Sequence, residues 1–427
     1  HKVACEGEIA NTCLHAMNAP QMLIVAAREF MPQAERLAAI HRDLRSTDAA
    51  AVCQDDIYNE FSSGTRTHEA IRRFARMLRD RGPERFRSLL LIGYASSDNR
   101  GVSIRENGWE DRYVPIYECP HLSIGGHHSL SYASDIFYGI LSDDFSIHNA
   151  VWPKMDIAVG RLPAQNSEQA DDMVDKIEKY LATPPSSGST NRALLMADSD
   201  NDNNFVTQAE ALAAIVAEEK PSTMLYKAYD DLYPKDNDGA THYHNFVAAT
   251  LQEGACFMSY FGHGSPSAFG ASDLWNSTLA KSTFYPVPPL TVLGTCSPLS
   301  IDLSSDCIGA WMFINKNGGS IGVIGAQREV YMNYNFDIVE AVTRKYFTAR
   351  PDATLGEIFR QAVNANTDLQ EERNRIKQEE FDKGNPGSTT ILAIDSALIL
   401  NTRSYTFVGD PELPAYAPPH SAALTSV

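Results

Sequence analysis

Residues 255–270 read ACFMSYFGHGSPSAFG, and residues 288–298 read PPLTVLGTCSP. Each holds a short apolar run that stops at a glycine: 256–261 before Gly262-His263-Gly264, and 290–293 before Gly294-Thr295-Cys296. Runs this short, bounded by Gly and Pro, read as buried strands of a parallel sheet. Open α/β sheets bind ligands beyond the carboxyl ends of their strands. If these two strands are neighbours, His263 and Cys296 emerge side by side in that crevice.

A thiol beside an imidazole is the minimal kit for nucleophilic acyl transfer. A neighbouring His⁺ lowers a thiol pKa and raises the fraction of reactive thiolate. The same ring then protonates a leaving amine. The amides of Gly264 and Cys296 are the expected oxyanion donors, and losing one such donor costs about 3 kcal/mol of transition-state stabilisation. Taken singly, Cys296 reads as a structural thiol and His263 as a loop histidine. Only the pair, each member ending a strand, carries the catalytic reading.

The chain has 427 residues, enough for two or three domains. Its 36 basic and 54 acidic residues give a net charge of −18. That argues against nucleic acid as a partner and against tight binding to anionic membrane. No apolar run approaches the roughly 20 residues of a membrane-spanning helix. The polar start, HKVACEGEIANTC, carries no secretion signal, so a mature or excised chain is expected. Seven cysteines, at 5, 13, 53, 119, 256, 296 and 307, make an odd count. In an oxidising compartment they predict three disulfides with Cys296 left free, Cys5 with Cys13 closing a short loop; in the cytosol all seven would stay reduced.

In the first half, strands at 22–26, 49–53 and 89–92 alternate with helices at 32–44 and 67–81. This order predicts a parallel sheet with right-handed crossovers. A strand at 155–159 follows, then an amphipathic helix at 167–183 with Ser167 as its N-cap. The stretch PPSSGSTN, 184–191, is the best linker. The expected organisation is an irregular segment 1–20, an α/β subdomain 21–185, a second 192–415, and a tail 416–427. The second half predicts strands at 193–197, 224–226, 320–325 and 405–407 besides the two quoted above. Its helices are expected at 207–217, 243–252, 307–317, 335–347 and 355–369, the last continuing to 383.

Three further clusters hold chemistry-bearing side chains. Cys119, His121, His127 and His128 crowd together, but their spacing fits no standard structural zinc site. Asp135, Asp143 and Asp144 offer oxygen ligands that suit a structural calcium, or else form a solvated acidic loop. Asp198, Asp200 and Asp202 end the strand at 193–197; an EF-hand loop is ruled against because Asn203 stands where its glycine is required. Gln327, with Arg328 and Glu329, ends the strand at 320–325, near enough to touch a substrate.

YFGHGSPSAFG followed by VLGTCSP resembles the His and Cys motifs of the gingipain-like cysteine peptidases, which share the caspase-like fold. DIYNEFSSG (56–64), LIG (91–93) with SDNR (97–100), MDIAVGRLP (155–163) and FVGDP (407–411) resemble the type IX secretion sortases among them. The resemblance covers residues 20–415. It implies an α/β fold of two caspase-like, doubly wound subdomains with mostly parallel sheets flanked by helices. It implies that Asp200, with Asp198 as the alternate, orients His263, and that Asp202 or Asn204 lines the primary specificity pocket. The implied function is a transpeptidase that needs no cofactor and acts at the outer-membrane surface of a Gram-negative bacterium. Its substrates would be secreted cargo proteins with a C-terminal signal. Its acceptor would be an anionic lipopolysaccharide, and its partners other attachment-complex proteins. A further upstream β-rich region is also implied. The alternatives are a secreted endopeptidase that only hydrolyses, and an inactive scaffold. The TCSP continuation departs from the family's commoner Cys-Glu or Cys-Val.

Overall fold

A computed structural model of the chain describes residues 9, 11–102, 111–119, 132–142, 153–183, 191–234, 237–270, 273–383 and 401–416. In chain order the strands are β1 (Met22–Ala26), β2 (Ala49–Cys53), β3 (Ser88–Ile92), β4 (Tyr117–Cys119), β5 (Tyr132–Ser134), β6 (Ala158–Leu162) and β7 (Arg192–Ala197). There follow β8 (Met224–Tyr229), β9 (Phe257–Phe261), β10 (Ala268–Phe269), β11 (Trp275–Asn276), β12 (Leu290–Gly294), β13 (Gly322–Ala326) and β14 (Tyr405–Gly409). Ten of them form one sheet in the order β2-β1-β3-β6-β14-β13-β12-β9-β7-β8. β4 with β5, and β10 with β11, are small separate hairpin-like pairs.

The sheet is two five-stranded parallel halves joined edge to edge. β13 and β14 make its antiparallel pairing, with Gly322 opposite Gly409 and Ala326 opposite Tyr405. β14 runs parallel to β6, meeting it at Val408 and Arg161. The first half carries the expected β-α-β-α-β order, with β1 paired to both β2 and β3. The central strands β1, β3, β9, β12 and β13 are buried along their whole length. Their near-continuous apolar runs follow from helices covering both faces of a parallel sheet. The expected linker at 184–190 lies outside the described residues, as does the acidic pair Asp143 and Asp144. His121, His127 and His128 also lie outside them.

β6 begins three residues later than expected, at Ala158 instead of Met155. A charged Arg161 reads as a strand exit, yet here it is wholly buried inside the strand. Its guanidinium donates from Nε and Nη2 to the two oxygens of Asp135, each at 2.7 Å. It also donates to the carbonyls of Gly93, Val114 and Pro115. This overturns the calcium reading of Asp135: both carboxylate oxygens face a cation that is already there. Among the described residues no group of three or more His, Cys, Asp and Glu side chains has the makings of a metal site.

The cysteines depart from the expected three disulfides. Cys13, Cys53, Cys256, Cys296 and Cys307 are all free thiols, while Cys5 lies outside the described residues. Cys256 and Cys307 are buried on different elements, and each thiol donates to a carbonyl, of Arg192 and of Pro298. An apolar core accommodates free cysteine as a small hydrophobe. The helix Ser167–Ala182 is capped by Asn166, whose side chain accepts the Gln169 amide, and not by Ser167.

Candidate active site

β9 and β12 are neighbours in parallel register, Tyr260 opposite Leu293 and Phe261 opposite Gly294. His263 and Cys296 each follow two residues beyond that last pair, at the same carboxyl end of the sheet. The side chain of Thr295 donates to the Gly262 carbonyl at 2.7 Å, tying the two strand ends together. A Cβ on Gly264 would stand 2.3 Å from Thr295 Oγ1 and 3.1 Å from the Cys296 carbonyl oxygen. Only glycine allows the histidine loop to lie this close to the cysteine loop.

The His263 loop is held by its backbone. The His263 carbonyl accepts the Tyr260 hydroxyl at 2.7 Å and the Gly270 amide at 2.8 Å. Its amide donates to Asp198 Oδ2 at 3.3 Å, and the other Asp198 oxygen accepts the Ser199 amide at 2.9 Å. β7 lies beside β9, and the Asp198 amide donates to the Phe261 carbonyl, so the acid arrives on the adjacent strand end. Asp198 is buried. Burial raises its pKa, while the His263 and Ser199 amides pull against that rise. The His263 ring itself is exposed and packs edge-on against Phe205, centroids 5.2 Å apart.

Cys296 sits at a sharp turn. Ser297 has a left-handed backbone, φ 59°, uncommon for a residue with a side chain. The sulfur is bracketed by the main chain of one residue of the opposite wall: the Val330 amide donates to it, and it lies equally near the Val330 carbonyl, each at 3.5 Å. Burial pushes the thiol pKa up, the Val330 amide draws it partway back, and the charge of Glu329 adds to the rise. The expectation that His263 lowers this pKa therefore does not hold in the resting arrangement. No hydrogen bond joins the ring to the sulfur.

Cys296 and Gly264 share a cavity of about 540 Å³ with Tyr132, Ser265, Arg328, Glu329 and Tyr331 among its walls. Among the described residues no backbone carbonyl takes the amide of Gly264 or of Cys296. Both residues line the same cavity, and neither amide is committed to a backbone partner there.

The other expected site residues fall elsewhere. Asp200 accepts the Asn204 side-chain amide at 2.9 Å, so both stand at the start of the helix Asn204–Glu219. Asp202 is exposed on the turn before that helix. Neither Asp202 nor Asn204 lines the cavity around Cys296. The Gln327 side chain is fully buried, with both polar atoms unpartnered among the described residues, and its neighbours Arg328 and Glu329 line the cavity in its place. The wall from Val330 to Met332 was not legible in the sequence: Val330 acts on the thiol through main-chain atoms, which leave no residue-type signal.

A thiol and an imidazole at the ends of adjacent strands of a mostly parallel sheet are the equipment of a cysteine peptidase. The chain belongs to peptidase family C25, the gingipain family, which it matches over residues 15–416. Among solved structures it is similar to the Arg-specific cysteine proteinase gingipain R (RgpB), known from Porphyromonas gingivalis. Identity is 15%, over 94% of this chain and 80% of that one, with a TM-score of 0.64. A structure described only as a protease is similar at 16% identity over 96% of this chain and 81% of its own, TM-score 0.62. Latent PorU from P. gingivalis shares 30% identity over 41% of this chain and 17% of its own length, TM-score 0.36. No curated protein matches the chain. No helix among the described residues is long and apolar enough to cross a membrane.

Proposed function

We propose that this cysteine peptidase uses Cys296 as nucleophile and His263 as general base and acid, with Asp198 positioning the histidine loop. His263 takes the Sγ proton as sulfur attacks a peptide carbonyl carbon. The oxyanion then forms against the Gly264 and Cys296 amides. Collapse breaks the C–N bond, and the same proton passes from the ring to the leaving amine. A thioester remains, and water or an incoming amine resolves it. The observation that carries this reading is the shared register of the β9 and β12 ends, with two unengaged amides beside the thiol. Catalytic hydrogen bonds tighten on substrate binding, so an unbonded ring in the free enzyme is compatible with the role.

The finer reading is transpeptidation. The thioester would pass to an amine on a surface lipopolysaccharide after a cargo protein loses its C-terminal signal. It rests on the ordered motif set at 56–64, 91–100, 155–163 and 407–411. A surface or outer-membrane location belongs to the same reading.

Mass spectrometry of a model cargo incubated with wild type and Cys296→Ala, with and without an added amine, tests both levels. Cleavage by wild type alone is expected, with the amine joined to the new C-terminus. Equal processing by Cys296→Ala excludes this nucleophile. Cleavage that never captures the amine leaves a hydrolase and removes the transpeptidase reading.

A further inference from the structure

A second cavity, of about 900 Å³, opens at the amino end of the sheet, away from the end that carries His263 and Cys296. Its walls come from Glu253, just before β9, from 284–288, just before β12, and from 316–318, just before β13. The helix Ser167–Ala182 closes one side. Phe284, Tyr285, Pro286, Val287 and Pro288 make one wall apolar, and Phe284 is 52% exposed. Small-molecule sites have this character: a concave, largely apolar space of roughly 300–1,000 Å³ with a few convergent polar groups.

The charges on the lining do not cancel inside it. Asp175 pairs with Arg36 at 2.6 Å, Glu253 with Arg192 at 3.7 Å, and Lys316 with Glu168 at 3.9 Å, each partner standing outside the lining. Lys176, Lys179 and Asp172 remain, a net of one positive charge when both amines are protonated. Among the described residues neither amine has a carboxylate within ion-pair distance. Lys176 Nζ donates instead to the Phe313 carbonyl and lies 5.1 Å from the centre of that ring.

We propose that this cavity binds a monoanionic amphiphile, a carboxylate carrying an apolar body, with Lys176 and Lys179 holding the carboxylate and the 284–288 wall holding the body. The site does not depend on the reading of Cys296 as nucleophile. An ammonium–carboxylate contact in a partly dehydrated space is a charge-assisted hydrogen bond. Burial draws the Lys176 pKa down to about 7, against the pull of Asp172. Burial also keeps the Tyr180 and Tyr285 hydroxyls protonated. A bound anion favours the charged amine and raises the Lys176 pKa again. Binding above neutrality therefore takes up a proton, and binding in mildly acid buffer does not.

Isothermal titration of the whole chain with octanoate, in buffers of different ionisation enthalpy at pH 6 and pH 8, tests this. One site per chain is expected, with most of one proton taken up at pH 8, little at pH 6, and about tenfold tighter binding at pH 6. Neutral 1-octanol should bind at least about tenfold more weakly than octanoate. Lys176→Met should abolish the proton uptake and the pH dependence. Phe284→Ser, at an exposed position, should weaken binding while leaving the proton uptake in place. No octanoate binding, equal binding of octanol, or proton uptake that survives Lys176→Met overturns the proposal. If Lys176→Met does not fold, binding by wild type without proton uptake at pH 8 overturns it as well.

Discussion

Asp198 meets His263 through the main chain: its carboxylate accepts the histidine amide at 3.3 Å, while the ring packs edge-on against Phe205. Asp200, the acid favoured by motif position, instead holds Asn204. The two acids therefore predict different losses. Asp198→Asn keeps the shape but weakens the anchor of the His263 loop. A misplacement of about 1 Å is worth as much as a hundredfold in rate. A loss of roughly tenfold to a hundredfold in kcat is expected, with KM little changed, and Asp200→Asn should stay within a few-fold of wild type. The reverse ranking in steady-state kinetics would move the orienting role to Asp200.

The resting thiol of Cys296 is held up by burial and by Glu329. Only the thiolate alkylates. The rate of iodoacetamide labelling at Cys296, followed by mass spectrometry in the absence of substrate, should still be climbing above the ordinary thiol value of 9.0. Glu329→Gln should shift that curve to lower pH. A midpoint near neutrality in wild type would mean that His⁺ lies closer to the sulfur in solution.

Gly264→Ala tests the approach of the two loops. The new methyl meets Thr295 Oγ1 at 2.3 Å, and the side chain of Thr295 is fixed by its bond to Gly262. The loops must part, which moves the Gly264 amide off the oxyanion position. A loss of roughly a hundredfold in kcat is expected, with an almost unchanged far-ultraviolet spectrum. Near-wild-type turnover would remove Gly264 from the oxyanion site.

His41 and Asp410 form a wholly buried pair, Nε2 to Oδ2 at 2.6 Å. Burial works against the imidazolium, yet Asp410 outweighs it and the His41 pKa rises above its ordinary 6.5. A raised folded pKa means that the native state holds the proton more tightly. The stabilisation is therefore full below the ordinary histidine range and is lost as pH rises through the folded value. Asp410→Asn leaves the histidine unpaired and should cost about 3–5 kcal/mol. Urea midpoints should show the gap between wild type and variant widest in mildly acid buffer and narrowing toward alkaline pH. A gap that widens with pH would refute the assignment.

The sequence carried the local facts well and the distant ones poorly. β1 and β2 fall on the expected residues because apolar runs between breakers need no partner to be read. His263 and Cys296 were legible for the same reason, since each closes such a run. β6 was misread because Arg161 is tolerated only by Asp135, 26 residues away, and by carbonyls of other segments. Asp135 was misread as a metal ligand for the complementary reason. The place of Asp198 relative to Asp200 depends on how β7 meets β9, and spacing along the chain says nothing about that. The thiol count suggested disulfides, but pairing requires neighbouring sulfurs, and five of the seven have none.

β14 occupies the fifth position across the sheet, although every other strand of that sheet precedes it in the chain. Directly after it, Asp410 grips His41, and Glu412 takes Ser88 and Arg87. The seam of the molecule is thus sewn last. During synthesis β6 and β13 must wait as bare rims, each offering a ladder of unpaired amides and carbonyls to any strand that passes. A chain interrupted before Tyr405 would keep both rims open, and such an intermediate invites self-association well before it has a working cleft.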